Sequence, residues 1–266
     1  MYFYIVYYKK QKLLLLQKYT LMKNSFIVLL LVVLSACQST KIKNNTYKVS
    51  ETAPELGSIG QSKMGYKTNN EFEVKTLPKL ENNIRVAIEI VPFNRKMYKI
   101  YSAKAKYNQD QLKVAYVDSL PKKPELATIK LLDVVQFVNE LNADYNKDVF
   151  KFISNTQNSE VVTNLVFCFT PEEINKIKQA DAFYLTNYQD SKYGISLYKL
   201  GKKTDTLFLN SLNVVAYRLS TFCWGSTDRG QWYIADMIEG NGGCKGITKS
   251  SIGEKKKSKT KSLFDM

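Results

Sequence analysis

Residues Glu160 to Ala180 read EVVTNLVFCFTPEEINKIKQA, two elements joined with no linker between them. The first ten are almost continuously apolar or β-branched, a composition that predicts a strand buried on both faces over Glu160–Phe169. Thr170-Pro171-Glu172-Glu173 follows at once. A threonine with a glutamate three positions on, and a proline in the first helical position, predicts a capping box and a short helix over Pro171–Ala180.

Working outward, the C-terminal side reads as strand after strand: Ala182–Tyr188, Gly194–Leu200, Thr204–Leu209, Asn213–Cys223 and Gln231–Ile238. Their joints, Gly201-Lys202-Lys203 and Gly225–Gly230, carry turn chemistry. On the N-terminal side Leu131, Val134, Val135, Val138 and Leu141 recur at helical spacing, and Val149, Phe152 and Ile153 mark a second short helix. Before them Ile84–Val91, Met97–Tyr107 and Gln111–Asp118 read as three strands in hairpins. In the middle run Met97, Tyr101, Ala103 and Ala105 share one face, while Lys96, Tyr98, Lys104 and Lys106 share the other. Strands, then helices, then a strand meander predict an α+β fold: a mainly antiparallel sheet with two to three short helices in a single domain over 78–246.

Composition narrows the chemistry. The 266 residues hold 39 Lys+Arg against 24 Asp+Glu, a net +15, with 44% hydrophobic and 12% aromatic residues, so the chain has the material for a core. It has no histidine. That excludes a Ser-His-Asp or Cys-His unit, a His-ligated zinc and a histidine general base. No metal-ligand spacing, phosphate-cradling glycine loop or nucleophile elbow is present, so the expectation is no metal, no cofactor and no enzyme.

Near the start, Phe26–Ala36 (FIVLLLVVLSA) has eleven apolar or small residues, short of the roughly 20 a bilayer-spanning helix requires. Met22-Lys23-Asn24-Ser25 gives it a basic leader, and Leu34-Ser35-Ala36-Cys37 closes it with small residues before a cysteine. Over 22–37 the chain resembles the signal peptide and lipobox of bacterial lipoproteins. The resemblance implies a signal over 22–36, cleavage before Cys37, lipid attachment to Cys37 and a place in the cell envelope. Gln38 after the cysteine, where an inner-membrane retention signal has Asp, favours the outer membrane. Residues 1–21 fit no part of that signal and read as an extension ahead of a true start at Met22, a long basic leader being the alternative. In 37–77 the apolar residues Ile42, Val49, Leu56 and Ile59 show no period, which predicts a flexible tether spanning roughly 35 Å. Residues 247–266 read as a basic disordered tail, part of a stretch from Lys245 with seven lysines against Glu254 and Asp265.

The other three cysteines and the C-terminal acids are the remaining candidates. Cys168 lies inside an apolar strand and reads as a small buried hydrophobe. Cys223 and Cys244 stand 21 positions apart with a hairpin between them, which predicts a disulfide closing that loop, worth roughly 3 kcal/mol; the alternative is that both stay reduced. Asp228, Asp236 and Glu239 are carboxylates in one stretch, and two of them across a cleft suffice for glycoside cleavage. The plainer reading makes them turn or surface acids. These observations lead to a non-catalytic envelope lipoprotein, a binding or assembly component. Its expected partners are the membrane, through lipid on Cys37, and another envelope protein or a glycan, but no nucleic acid. The alternative is a carboxylate-based hydrolase acting on envelope glycans.

Overall fold

The computed structural model describes residues 39–42, 45–49, 54–62, 72–105, 110–117, 119, 123–189, 192–240 and 242–252. The strands are β1 (Ser39–Ile42), β2 (Asn45–Lys48), β3 (Ile59–Ser62), β4 (Phe72–Thr76), β5 (Ile84–Pro92), β6 (Glu125–Leu131), β7 (Ser159–Phe167), β8 (Ala182–Gln189), β9 (Lys192–Lys199), β10 (Lys202–Phe208), β11 (Val214–Ser226) and β12 (Trp232–Glu239). The helices are α1 (Arg95–Lys104), α2 (Val134–Asn142), α3 (Lys147–Asn155) and α4 (Pro171–Gln179).

β7 organises the sheet. Val161, Val162, Val166 and their neighbours are buried on both faces, and such a strand needs partners on both edges. β11 pairs along one edge, β6 along part of the other, and β3 takes Ser159–Val161 where β6 has ended. All pairings are antiparallel, in the order β1-β2-β11-β7-β6-β5-β8-β9-β10, with β12 on β11 and β4 on β3. The main core collects Ile129, Leu165, Ile195 and Tyr217 from the strands, Phe137 and Leu141 from α2, and Ile174 and Ile177 from α4. On the opposite face a second cluster places Met97 and Tyr101 of α1 against Val166, Cys168, Val215 and Ala216.

The expected α+β class is corrected: one twelve-stranded antiparallel sheet dominates the described residues, and the four α-helices are short covers of nine or ten residues. Two features enlarge the sheet. The region read as a tether supplies β1 to β4, with Ile42, Tyr47, Leu56 and Ile59 buried, so the folded unit begins at Ser39 rather than near 78. The segment ahead of the first predicted helix supplies a strand that the helical spacing did not suggest: Leu131, read as the start of the helical stripe, closes β6, and the helix starts only after Asp133, whose Oδ1 accepts from Gln136 N at 2.9 Å.

The strand expected at Met97–Tyr107 is a helix. Asn94 caps it, its Oδ1 accepting from Met97 N at 2.8 Å, and Met97 and Tyr101 face the second cluster. Positions four apart share a face in both a strand and a helix, so this pair cannot distinguish the two periods, and the cap decides. Gln111–Val117 keeps alternating burial yet pairs with no strand among the described residues. It lies on the second cluster through Leu112, Val114 and Tyr116. The tail expectation changes too: Trp224 and Lys249 exchange backbone hydrogen bonds of 2.8 and 2.9 Å, and Ile252 packs on the main core, so the chain is docked as far as 252.

Candidate functional site

A concavity lies where α3 ends and β11 passes. Its floor is apolar: Ile153 from α3, Phe222 and Trp224 from β11, and Ile252 from the docked C-terminal segment. Phe150 stands edge-on to Trp224 with ring centroids 5.8 Å apart, which fixes the indole from below. The rim is polar and uncharged. Ser154 and Asn155 end the helix, Thr156, Gln157 and Asn158 form the connection to β7, and Thr221, Ser250 and Ser251 face them. Asn158 takes φ 55°, a left-handed conformation that asparagine tolerates better than most residues and that reverses the chain into β7. The groove encloses about 830 Å³, within the range of small-molecule sites.

One wall of the groove is covalently held. Cys223 and Cys244 form a disulfide with Cα atoms 5.7 Å apart, and Trp224 beside it makes the bridge to Lys249. The Lys249 ammonium lies 5.2 Å over the Trp232 ring, a cation–π contact that adds a third attachment. Ser250, Ser251 and Ile252 are therefore presented to the groove by a stapled segment.

The three C-terminal acids do not line it. Asp228 is exposed in the tight turn closed by the Gly230 N to Thr227 O bond of 2.9 Å. Asp236 is exposed and accepts from the next backbone amide, Met237 N, at 2.7 Å. Glu239 is held between Arg218 and Lys130, 2.9 Å from each, with the Arg218 guanidinium 5.7 Å over the Tyr47 ring. Cys37, the proposed lipid-attachment residue, and the signal over 22–36 lie outside the described residues, as does 1–21. Cys168 is buried and free, and burial pushes its thiol up to about 11, so it is no nucleophile.

Two further ionisable groups are buried. Glu140, 1% exposed, accepts from Glu81 N, Asn82 N, Asn82 Nδ2, Gln136 Nε2 and Tyr145 Oη at 2.6–3.4 Å. Burial alone would raise its pKa, but the hydrogen bonds from Asn82, Glu81 and Tyr145 outweigh it and hold the carboxyl below its ordinary value. Asn146 extends this knot, bonding Lys79 N, Lys79 O and Glu140 O. It fastens the approach to β5 onto α2 and is structural. Lys104, 6% exposed, donates to Val214 O at 3.1 Å, and desolvation lowers it to about 8.

Sequence reasoning missed the groove entirely. The run Ser154–Ser159 (SNTQNS) registers only as a polar connection, and Ser250–Ile252 sits in a lysine-rich stretch with no period. Compared with protein-family models, with curated proteins and with solved structures, the chain matches none.

Proposed function

We propose that this chain is a lipid-anchored envelope protein that binds an uncharged, polyhydroxylated ligand, a glycan, in the groove and does not transform it. The observation that carries the reading is the lining: none of its thirteen residues is ionisable, in a chain where 24% of residues are charged. General acid–base catalysis needs a proton-exchanging side chain within hydrogen-bond reach of the substrate, and this surface offers amides and hydroxyls instead. Such groups match sugar hydroxyls, while the indole and aliphatic floor matches the apolar C–H face of a pyranose ring. An anionic or cationic ligand would enter with no counter-charge, at a desolvation cost the groove does not offset. The anchor rests on the run Met22–Cys37 and its resemblance to a lipobox.

The test is calorimetric titration of the protein with neutral oligosaccharides, with product analysis on the same samples. Binding without turnover is expected. Asn158→Asp, which puts a charge on the rim, should weaken it about tenfold, the ~1.4 kcal/mol of one imperfectly solvated group. Turnover abolished by Asp228→Asn, Asp236→Asn or Glu239→Gln would overturn the reading in favour of a carboxylate hydrolase.

A further inference from the structure

A second surface differs from the groove in chemistry and lies on other strands. On β8, β9 and β10 the side chains of Leu185, Ile195, Leu197 and Leu207 point into the core. Alternation therefore turns Tyr184, Tyr188, Tyr198 and Phe208 to the opposite face. They stand there as two edge-to-face pairs, Tyr184–Tyr198 at 5.1 Å and Tyr188–Phe208 at 4.3 Å between centroids. None of the four belongs to either core cluster, and Tyr188 and Phe208 remain 52% and 51% exposed.

The hairpin that carries them ends in an apolar point. Leu200, 85% exposed, occupies the β9–β10 turn between Lys199 and Lys202-Lys203, with Gly201 at φ 74° completing the reversal. From Lys192 to Phe208 there are four lysines and one acid, Asp205, whose carboxylate is 2.9 Å from Lys176. The free edge of β10 is unsuited to receiving another strand, because Lys202 and Lys203 flank it and the register shifts between Lys203 and Asp205. The face is what this hairpin offers.

We propose that this face seats on an anionic lipid bilayer, with Leu200 and the aromatic rings entering the headgroup region and the lysines meeting lipid phosphates. Tyrosine suits that depth because its ring is apolar and its hydroxyl is wet, and lysine reaches phosphate while its methylenes stay in the apolar layer. A glycan provides no apolar phase for an exposed leucine. The cationic surround selects a negatively charged surface over a neutral one. The proposal is independent of the groove, which lies on α3, β7 and β11.

Among the described residues the buried core lies at Ile42 or beyond, and the compact unit starts at Ser39, so the chain from Gln38 retains that unit and lacks Cys37, the proposed acylation position. That form should cosediment with phosphatidylglycerol-containing vesicles, and not with pure phosphatidylcholine vesicles, in a salt-sensitive way. Lys202→Gln with Lys203→Gln should lower partitioning about thirtyfold, since each lysine near an anionic surface is worth ~1 kcal/mol. Leu200→Asp should reduce it at least as far. All three positions are exposed, and circular dichroism checks that the fold is kept. Vesicle binding that survives these changes but disappears when the chain stops at Ile252 would put the contact in the last fourteen residues and defeat the proposal. Displacement of the vesicles by neutral oligosaccharide would defeat it as well.

Discussion

Glu140 and Lys104 are both buried ionisable side chains, and their opposite surroundings make opposite predictions. Glu140 accepts from five donors. Its folded pKa lies below the unfolded one, so its contribution is present above the ordinary carboxylate value and is lost as pH falls through that value toward the lower folded one. Glu140→Gln should cost about 2–3 kcal/mol in urea unfolding at neutral pH, because donors remain buried without full acceptance, and should shrink the acid-side loss. Lys104 runs the other way. Its folded value of about 8 lies below the unfolded 10.5, so protonation at neutral pH opposes folding, and stability rises as pH climbs between the two. Lys104→Met should therefore stabilise the fold at neutral pH, by up to about 3 kcal/mol, and flatten stability between those two values. A variant no more stable than wild type at neutral pH, with the alkaline rise intact, would mean that Lys104 is not the titrating group.

At the scale of elements, α4 and the C-terminal staple give the clearest expectations. In α4 the Thr170 hydroxyl accepts from Glu173 N at 3.2 Å while the Glu173 carboxylate accepts from Thr170 N at 2.8 Å. Thr170→Ala should cost about 1 kcal/mol, read from thermal unfolding. Reducing Cys223–Cys244, or changing both to Ser, should cost roughly 3 kcal/mol and release the 245–252 segment to protease, with loss of groove binding. The contrast between these two elements explains what could be read from the sequence. The capping box and the β7 run are local signals, complete within twenty-one residues, and α3, α4 and β8 to β12 followed from similar signals. Ile42, Leu56 and Ile59 carry no local period, because their burial is decided by β7 and β11, more than a hundred positions away. The groove was illegible for the same reason: its rim joins Asn155–Asn158 to Ser250-Ser251, and only the sheet brings them together.

For the whole molecule, Cys37→Ala should abolish acylation, so that intact mass and membrane partitioning both change; identical mass and partitioning in wild type and variant would remove the proposed anchor. The structure alters what such an anchor does. β1 starts at Ser39 and is paired with β2, and β2 is paired with β11. One residue, Gln38, separates the proposed acylation position, Cys37, from the sheet. Two peptide units reach about 7 Å, not the roughly 35 Å of a forty-residue coil. On so short a leash the bilayer is never more than a side chain's length from β1, and any further contact with lipid becomes an intramolecular event. Its strength is then set by effective concentration, in the millimolar range or above, rather than by bulk affinity. A patch of four rings and four lysines that binds the free protein to anionic vesicles only reversibly would, under that avidity, be strong enough to choose which way the anchored one faces.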